Sequence, residues 1–201
     1  MMARVTAFVF FLSLAGVPES RAGEFDFQAG ADGATDFSGP GAGIDAGAGL
    51  GSSGRANMSG ASGGAHVGYN FQASRFVAGA EADILATNIK SGGFGATSYR
   101  QDYLSSVKAK GGWIFGDILP YGAVGLARSA TAYQDASGLA KRNLNGVVYG
   151  VGAELSITRN ISIRAEYLRY AFGRQTYQTP GAAVPLGVST NIVRVGAGLR
   201  F

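Results

Sequence analysis

The most constraining feature of the chain is a strict two-residue alternation over its last residues, 190–201. A period of two places the apolar residues of this segment on one face of a β-strand and Arg194 and Arg200 on the other face. In a soluble sheet the apolar face would pack on a core. In a membrane barrel it would face lipid, and the arginines would point inward. The apolar set is Val193, Val195, Ala197, Leu199 and Phe201.

Composition favours the membrane. Only 15% of the 201 residues are charged, whereas soluble domains average roughly 25%. The 17 lysines and arginines are scattered singly rather than clustered, so we expect no nucleic-acid partner. The chain has no cysteine, which excludes disulfides and thiolate metal sites, and we expect neither a metal nor another cofactor.

The amino-terminal part is predicted to lie outside the fold. Residues 1–22 combine a short basic start, an apolar run and a small-x-small end at Ser20-Arg21-Ala22, which is typical of an export signal peptide. The apolar run is shorter than the roughly 20 residues of a membrane-spanning helix. Residues 23–40 lack periodicity and are predicted to form an irregular lead-in, so the domain proper is expected at 41–201.

Seven further alternating segments precede the terminal one, although the fifth, from residue 119 to about 132, alternates poorly. The connections between the segments alternate in length, which is typical of barrels with short turns at one end and long loops at the other. Short links are expected at 72–74, 116–118 and 158–160, and long ones at about 52–60, 88–97, 134–141 and 173–187.

These patterns predict an all-β fold, an eight-stranded antiparallel up-and-down transmembrane β-barrel. A spanning sheet must close on itself because hydrocarbon offers no partners for backbone N–H and C=O groups. Aromatic residues near the strand ends are expected to form girdles at the two membrane interfaces. These residues are Tyr69, Phe71, Tyr103, Trp113, Phe115, Tyr121, Tyr167 and Phe201.

Alternation also places charges of both signs on the inward faces, with Arg128 as a further candidate. Charges in a narrow interior must be paired, since burying an isolated ion costs several kcal/mol. The near-balance of signs favours a salt-bridged plug; a proton or ion path is the alternative. The predicted interior network is Glu81, Asp83, Lys108, Lys110, Glu154, Arg164, Glu166, Arg194 and Arg200.

Catalysis has little support in the sequence. His66 is the only histidine, so a Ser/His/acid or histidine–metal site would have to use it. Barrels of this size can be lipid A-modifying enzymes, but those place a Ser/His pair on the lipid-facing side. Alternation turns His66 inward, and we therefore expect a hydrogen-bonded interior histidine and no enzyme.

Five short motifs, in order, resemble the alphaproteobacterial Omp25/Omp31-like outer-membrane proteins, an opacity-type family with an OmpA-like barrel. The first strand departs from the family, because GAGIDA at 41–46 stands where an aromatic-rich start is usual. The motifs are GAHVGYNF at 64–71, FVAGAEAD at 76–83, VKAKGGW with LPY at 107–121, RAEYL at 164–168 and NIVRVG at 191–196.

The resemblance implies a surface-exposed structural barrel in the outer membrane of a Gram-negative bacterium, usually not an enzyme. A small low-conductance channel is the first alternative, and a lipid A-modifying enzyme the second. Expected partners are outer-membrane lipid and lipopolysaccharide, periplasmic chaperones and the barrel-assembly machinery. The chain is expected to be monomeric, its loop ligand stays open, and the terminal strand ending in Phe201 resembles the assembly signal.

Overall fold

The structure is a computed structural model that describes residues 35–53, 56–91, 98–135, 138–179 and 182–201. The predicted signal peptide and most of the lead-in lie outside these residues. Eight strands make up nearly all of the described chain. They are β1 (Gly39–Ser53), β2 (Ala56–Ala73), β3 (Phe76–Ser91), β4 (Ser98–Trp113), β5 (Ile118–Asp135), β6 (Gly138–Ser156), β7 (Ile161–Thr179) and β8 (Ala182–Arg200).

The strands form a closed barrel in chain order, and every neighbouring pair is antiparallel. The first and last strands pair as well, from Gly41 opposite Arg200 to Ser53 opposite Val188. Closure leaves no free sheet edge, which is what a spanning sheet requires. The predicted fold is therefore confirmed. Within the described residues, no helix is long and apolar enough to cross a membrane.

The pairing fixes how steeply the strands are tilted. A row of directly paired residues that starts at Gly51 on β1 and passes through β8, β7 and the other strands returns to β1 at Gly41, ten residues from its start. An eight-stranded barrel with this stagger has strands tilted by roughly 40° from its axis. Such a barrel is narrow enough for side chains to fill its interior.

The outer face carries the predicted apolar belt. Large apolar side chains are exposed on every strand, among them Ile44, Val67, Val107, Val151 and Val195. On β4 the exposed aromatic residues Trp113 and Tyr103 stand ten residues apart. At the strand tilt given above, ten residues span roughly 25 Å, which is the height of the apolar band in outer-membrane barrels.

The strands continue well beyond this belt at one end, where long loops were predicted. The regions expected as loops around 52–60, 134–141 and 173–187 are mostly hydrogen-bonded hairpin arms, and most of the fourth, 88–97, lies outside the described residues. The prediction of these three loops was wrong because the arms lie outside the apolar belt and so lack an alternating pattern. The tight links that join Ala73 to Phe76, Trp113 to Ile118 and Ser156 to Ile161 define the opposite, short-turn end.

Candidate functional site

The inward faces of six strands bring nine charged side chains into one cluster, the ionic layer. The inward orientation of each charged side chain follows from the two-residue alternation, because its sequence neighbours on both sides face outward or are only partly buried. Each side chain is at most 9% exposed. The ionic layer consists of Asp45, Glu81, Asp83, Lys108, Lys110, Glu154, Arg164, Glu166 and Arg194.

Arg164 on β7 joins carboxylates from two other strands, β1 and β3, of which β3 lies across the barrel. Its Nε and Nη2 atoms donate hydrogen bonds of 2.9 and 2.8 Å to the two carboxylate oxygens of Asp45. Its Nη1 atom donates a third bond, of 2.6 Å, to Glu81. The two-pronged bond to Asp45 matches the fork geometry of a guanidinium, which makes it strong and directional.

Arg194 on β8 is the centre of the layer. Its guanidinium is fully buried and contacts the carboxylates of Glu166, Asp83 (3.3 Å), Glu81 (3.6 Å) and Asp45 (3.7 Å). The bond to Glu166 joins residues that stand directly opposite each other on β7 and β8. A single cation thus contacts four anions, and its removal would leave an excess of buried negative charge in the layer.

The two lysines of β4 complete the layer. Lys108 stands directly opposite Glu81, lies 3.0 Å from its carboxylate and also contacts Asp83. Lys110, two residues nearer the short turns, bridges Glu81 at 3.8 Å and Glu154 at 3.7 Å. Among the described interior residues the signs are almost balanced, as low-dielectric surroundings require.

Arg200 was predicted to join this network, but the structure places it apart, at the short-turn end. Its guanidinium donates hydrogen bonds to the Asp36 carbonyl and to the Ser156 hydroxyl, and lies 4.6 Å from the ring centre of Phe37. Its contacts are therefore a backbone oxygen, a hydroxyl and an aromatic face. It anchors the incoming chain, whereas the nine residues above neutralise one another.

That incoming chain, residues 35–38, closes the short-turn mouth. Phe37 is fully buried in an apolar cluster with Val77, Ile114, Leu119 and Tyr121. Its backbone N–H donates to Gln72 (2.7 Å), and its carbonyl accepts from Asn70 (3.0 Å). We call residues 35–38 the stopper, because their side chains and hydrogen bonds fill the mouth of the barrel.

We expect Phe37→Ala to destabilise the barrel by about 3 kcal/mol or more, since deleting a buried Phe side chain leaves a cavity. The temperature at which SDS resistance is lost on a gel should fall. Phe71→Ala is the matched control: Phe71 is 68% exposed on the lipid-facing side, so its loss should leave that temperature nearly unchanged. Equal temperatures for both variants would contradict a packed stopper.

Toward the opposite end, the ionic layer is covered by apolar side chains. Leu85, Leu104, Leu168, Tyr170 and Ile192 are fully buried there. On its strand, each of these residues lies two to four positions farther from the short turns than a member of the ionic layer. The ionic layer is therefore enclosed between this outer cluster and the cluster around Phe37.

Glycines opposite the charged residues make room for them. A Cβ atom at Gly196 would overlap the carboxylate of Asp45, and one at Gly152 would meet both Glu166 and the Tyr121 hydroxyl at 2.8 Å. Real Cβ atoms do not approach other heavy atoms this closely, so larger residues at these two positions would displace the ion pairs.

Two site residues were missed from the sequence. Asp45 is 5% exposed and pairs with Arg164, Arg194 and His66, yet it lies in the Gly/Ala-rich first strand. The only signal was its position between the outward-facing Ile44 and Ala46. Tyr121 was assigned to an aromatic girdle; it is buried instead, and its hydroxyl donates a 2.9 Å bond to Glu166.

The suggestion that Arg128 joins the interior is also wrong, because its side chain is exposed on the outside of β5. The expectation that His66 is a hydrogen-bonded interior histidine is confirmed: it faces inward, is 8% exposed, and its Nδ1 atom lies 2.9 Å from Asp45. Within the described part of the chain, no group of three or more histidine or acidic residues is arranged to hold a metal ion.

A closed, strongly staggered barrel with an apolar belt and a charged interior defines the class of transmembrane β-barrels. The chain belongs to the outer membrane protein β-barrel domain family, whose sequence profile matches residues 8–201. It is a protein of the outer membrane of a Gram-negative bacterium, and the short-turn end is therefore the periplasmic end.

Among curated relatives, the 25 kDa outer-membrane immunogenic protein of Brucella abortus is 30% identical over 138 residues. A 22 kDa outer membrane protein of Rhizobium leguminosarum is 28% identical over 137 residues. These matches cover 69% and 67% of this chain, and each spans 64% of the relative. The Brucella melitensis 31 kDa outer-membrane immunogenic protein is 29% identical over 157 residues, 69% of this chain and 65% of that protein. The resemblance to Omp25/Omp31-like proteins is confirmed.

Among solved structures, Neisserial surface protein A superposes with a TM-score of 0.56 at 17% identity, covering 82% of this chain and 98% of that one. The Ail protein of Yersinia pestis gives a TM-score of 0.50 at 16% identity, covering 81% and 99%. At these identities the likeness concerns the fold alone.

Proposed function

We propose that this protein is a structural, surface-exposed barrel whose interior is closed to solutes, and that it has no catalytic activity. The observation that carries the proposal is the position of the ionic layer between two apolar clusters. An ion that crossed the barrel would have to lose its hydration shell twice, once beside Phe37 and once beside the apolar cluster that contains Leu85 and Leu104. Transfer of an ion into such surroundings is strongly unfavourable.

The ion pairs add a second barrier. Arg164 and Arg194 contact carboxylates from several strands, so a path through the layer would require several charge-assisted bonds to break together. Their role in this proposal is to hold opposite walls of the barrel together. The function then lies in occupying the membrane and in the surface that the hairpin arms present.

The test is single-channel recording in a planar lipid bilayer with purified, refolded protein. We expect the unaltered barrel to show no discrete conductance, and Lys108→Ala to remain silent because both apolar clusters persist. The matched control is Val107→Ala, the lipid-facing neighbour of Lys108. Steps present in the unaltered protein and changed by Lys108→Ala, but not by Val107→Ala, would overturn the closed-barrel proposal.

A narrow channel is the second candidate, favoured by one observation. A polar cavity of about 30 Å³ lies at the periplasmic side of the ionic layer, with Lys110, Glu154, Arg164 and Arg200 among its lining residues. The same recordings test it, with Glu166→Gln as an additional variant. The lipid A-modifying alternative has less support, because His66 pairs with Asp45 inside the barrel, away from lipid.

The remaining proposals concern partners. A chain of this family is proposed to pass through periplasmic chaperones and the barrel-assembly machinery, to act as a monomer, and to lie among outer-membrane lipid and lipopolysaccharide. The Brucella relatives are named as immunogenic. By analogy, the hairpin arms of this chain are proposed to be accessible at the cell surface.

A further inference from the structure

The described side chains of the lipid-facing surface carry charge at only one level. Among the described side chains of the eight strands, the exposed ones that bear a charge are Arg128 on β5 and Arg169 on β7, and both are basic. Neither guanidinium forms an ion pair with a described residue. The other exposed charges of the described chain belong to the periplasmic turns, as with Arg75 and Arg159.

The register brings the two arginines to nearly the same height. Arg169 stands opposite Tyr149, which stands opposite Val124, four residues below Arg128 on its strand. Because the strands are tilted, directly paired residues do not lie at the same height. The ten-residue stagger over eight strands means that a row of paired residues comes closer to the periplasm by about 1.25 residues at each strand from β7 to β5. The remaining height difference is roughly 4 Å, and the Cα atoms lie roughly 13 Å apart.

This level is the extracellular border of the apolar belt. Asn145 is directly opposite Arg128 and Asn191 is directly opposite Arg169, so amides accompany both arginines. Tyr103, which is exposed on β4 at the end opposite Trp113, is paired with Ala130 close by. Lipid headgroups meet the barrel at such a border, where aromatic girdles lie.

Below the arginines the same strands present a broad aliphatic surface to the hydrocarbon. The exposed fractions are 72% for Leu126, 63% for Val151 and 61% for Val195. On β1 and β2 the residues that continue the row of pairs from Arg169 and Asn191 are uncharged, namely Leu50 and Ser59. Among the described side chains, the combination of a cationic border and an apolar wall is therefore found on the β5–β8 side of the barrel.

We propose that Arg128 and Arg169, with Asn145 and Asn191, form a binding site for the phosphate groups of a phosphorylated glycolipid of the outer leaflet, of the lipid A type. Guanidinium groups bind phosphate through paired charge-assisted hydrogen bonds. The amides supply hydrogen bonds to sugar hydroxyls, and the aliphatic wall below receives the acyl chains. This site rests on the proposed surface-barrel function and identifies its lipid partner.

The test uses the full-length barrel refolded in mild detergent, with bound lipid counted by native mass spectrometry. The probes are bisphosphorylated lipid A, lipid A stripped of phosphate, and phosphatidylglycerol. The double variant Arg128→Gln/Arg169→Gln is compared with Arg75→Gln/Arg159→Gln, which removes two exposed arginines from the periplasmic turns instead. Both variants are first checked for SDS-resistant, heat-modifiable mobility, which reports a folded barrel.

We expect bisphosphorylated lipid A to bind the turn variant as it binds the unaltered protein. Its affinity for the double variant should fall roughly tenfold for each arginine lost. Equal retention by both variants, or equal retention of phosphate-free lipid A, would overturn the site. Phosphatidylglycerol retained as strongly and with the same arginine dependence would overturn the glycolipid assignment. Bilayer conductance of the unaltered protein tests the closed-barrel function separately, so the two failures are distinguishable.

Discussion

Replacing Arg194 with leucine is expected to lower the free energy of unfolding by about 3–5 kcal/mol, because breaking a buried ion pair leaves unpaired charge in a low-dielectric interior. Arg194 is the most deeply buried cation in the described interior, and it contacts four carboxylates. Urea unfolding in detergent micelles, followed by the fluorescence of the single tryptophan, Trp113, measures the change.

A second substitution separates charge from packing. Glu166→Gln, added to Arg194→Leu, removes the carboxylate that Arg194 contacts most closely and with it the excess negative charge, so it should restore part of the lost stability. The matched control is Arg169→Leu, an exposed arginine on the adjacent strand, with an expected change within about 0.5 kcal/mol. A cost below about 1 kcal/mol for Arg194→Leu, or no recovery in the double variant, would show that the ion pairs contribute little to stability.

How much of this interior was predictable depends on the strand. On β3 and on the membrane part of β4 the alternation is clean, and so the inward orientation of Glu81, Asp83 and Lys108 follows from the sequence alone. On β1 the pattern consists mostly of glycine and alanine, which fit either face. Asp45 was missed for that reason, although it is the acid with the two-pronged bond to Arg164.

The enclosing apolar clusters could not be predicted from alternation. Apolar doublets such as Ile84–Leu85 and Tyr167–Leu168 put one side chain into lipid and the next into the barrel. Such a doublet blurs the two-residue period, because both faces are apolar. On β5 the same effect concealed the inward position of Tyr121, which follows the outward-facing Pro120.

Partner choice within the ionic layer lies beyond sequence reasoning for a different reason. Arg164 meets Asp45, which is more than a hundred residues away in the chain, only because the barrel closes with its particular stagger. A shift of two residues in the β1–β8 register would keep every side chain on its face and change the ion pairs that cross this seam, such as the one between Arg164 and Asp45. Alternation determines the face, whereas closure determines the partners.

Substitution of Phe201 is expected to reduce the amount of barrel inserted in cells severalfold while leaving the finished barrel almost as stable. Phe201 is 70% exposed at the periplasmic end, so its ring contributes little to the folded interior. Its backbone N–H donates a 3.0 Å hydrogen bond to the Pro40 carbonyl beside the β1–β8 seam, and Phe201→Ala preserves that bond. An effect of this substitution on yield therefore reports recognition of the ring during assembly rather than loss of a native contact.

The measurement is the heat-modifiable, SDS-resistant fraction in isolated outer membranes after a pulse of expression. Phe115→Ala is the matched control, since Phe115 is 63% exposed at the same periplasmic border and lies outside the terminal strand. Refolding of both purified variants into lipid vesicles without cellular factors should proceed equally well. Unchanged insertion of Phe201→Ala in cells would refute the proposed assembly signal of Val193, Val195, Ala197, Leu199 and Phe201. A loss shared by Phe115→Ala would instead indicate that any interfacial aromatic residue supports insertion, because such rings favour the headgroup level generally.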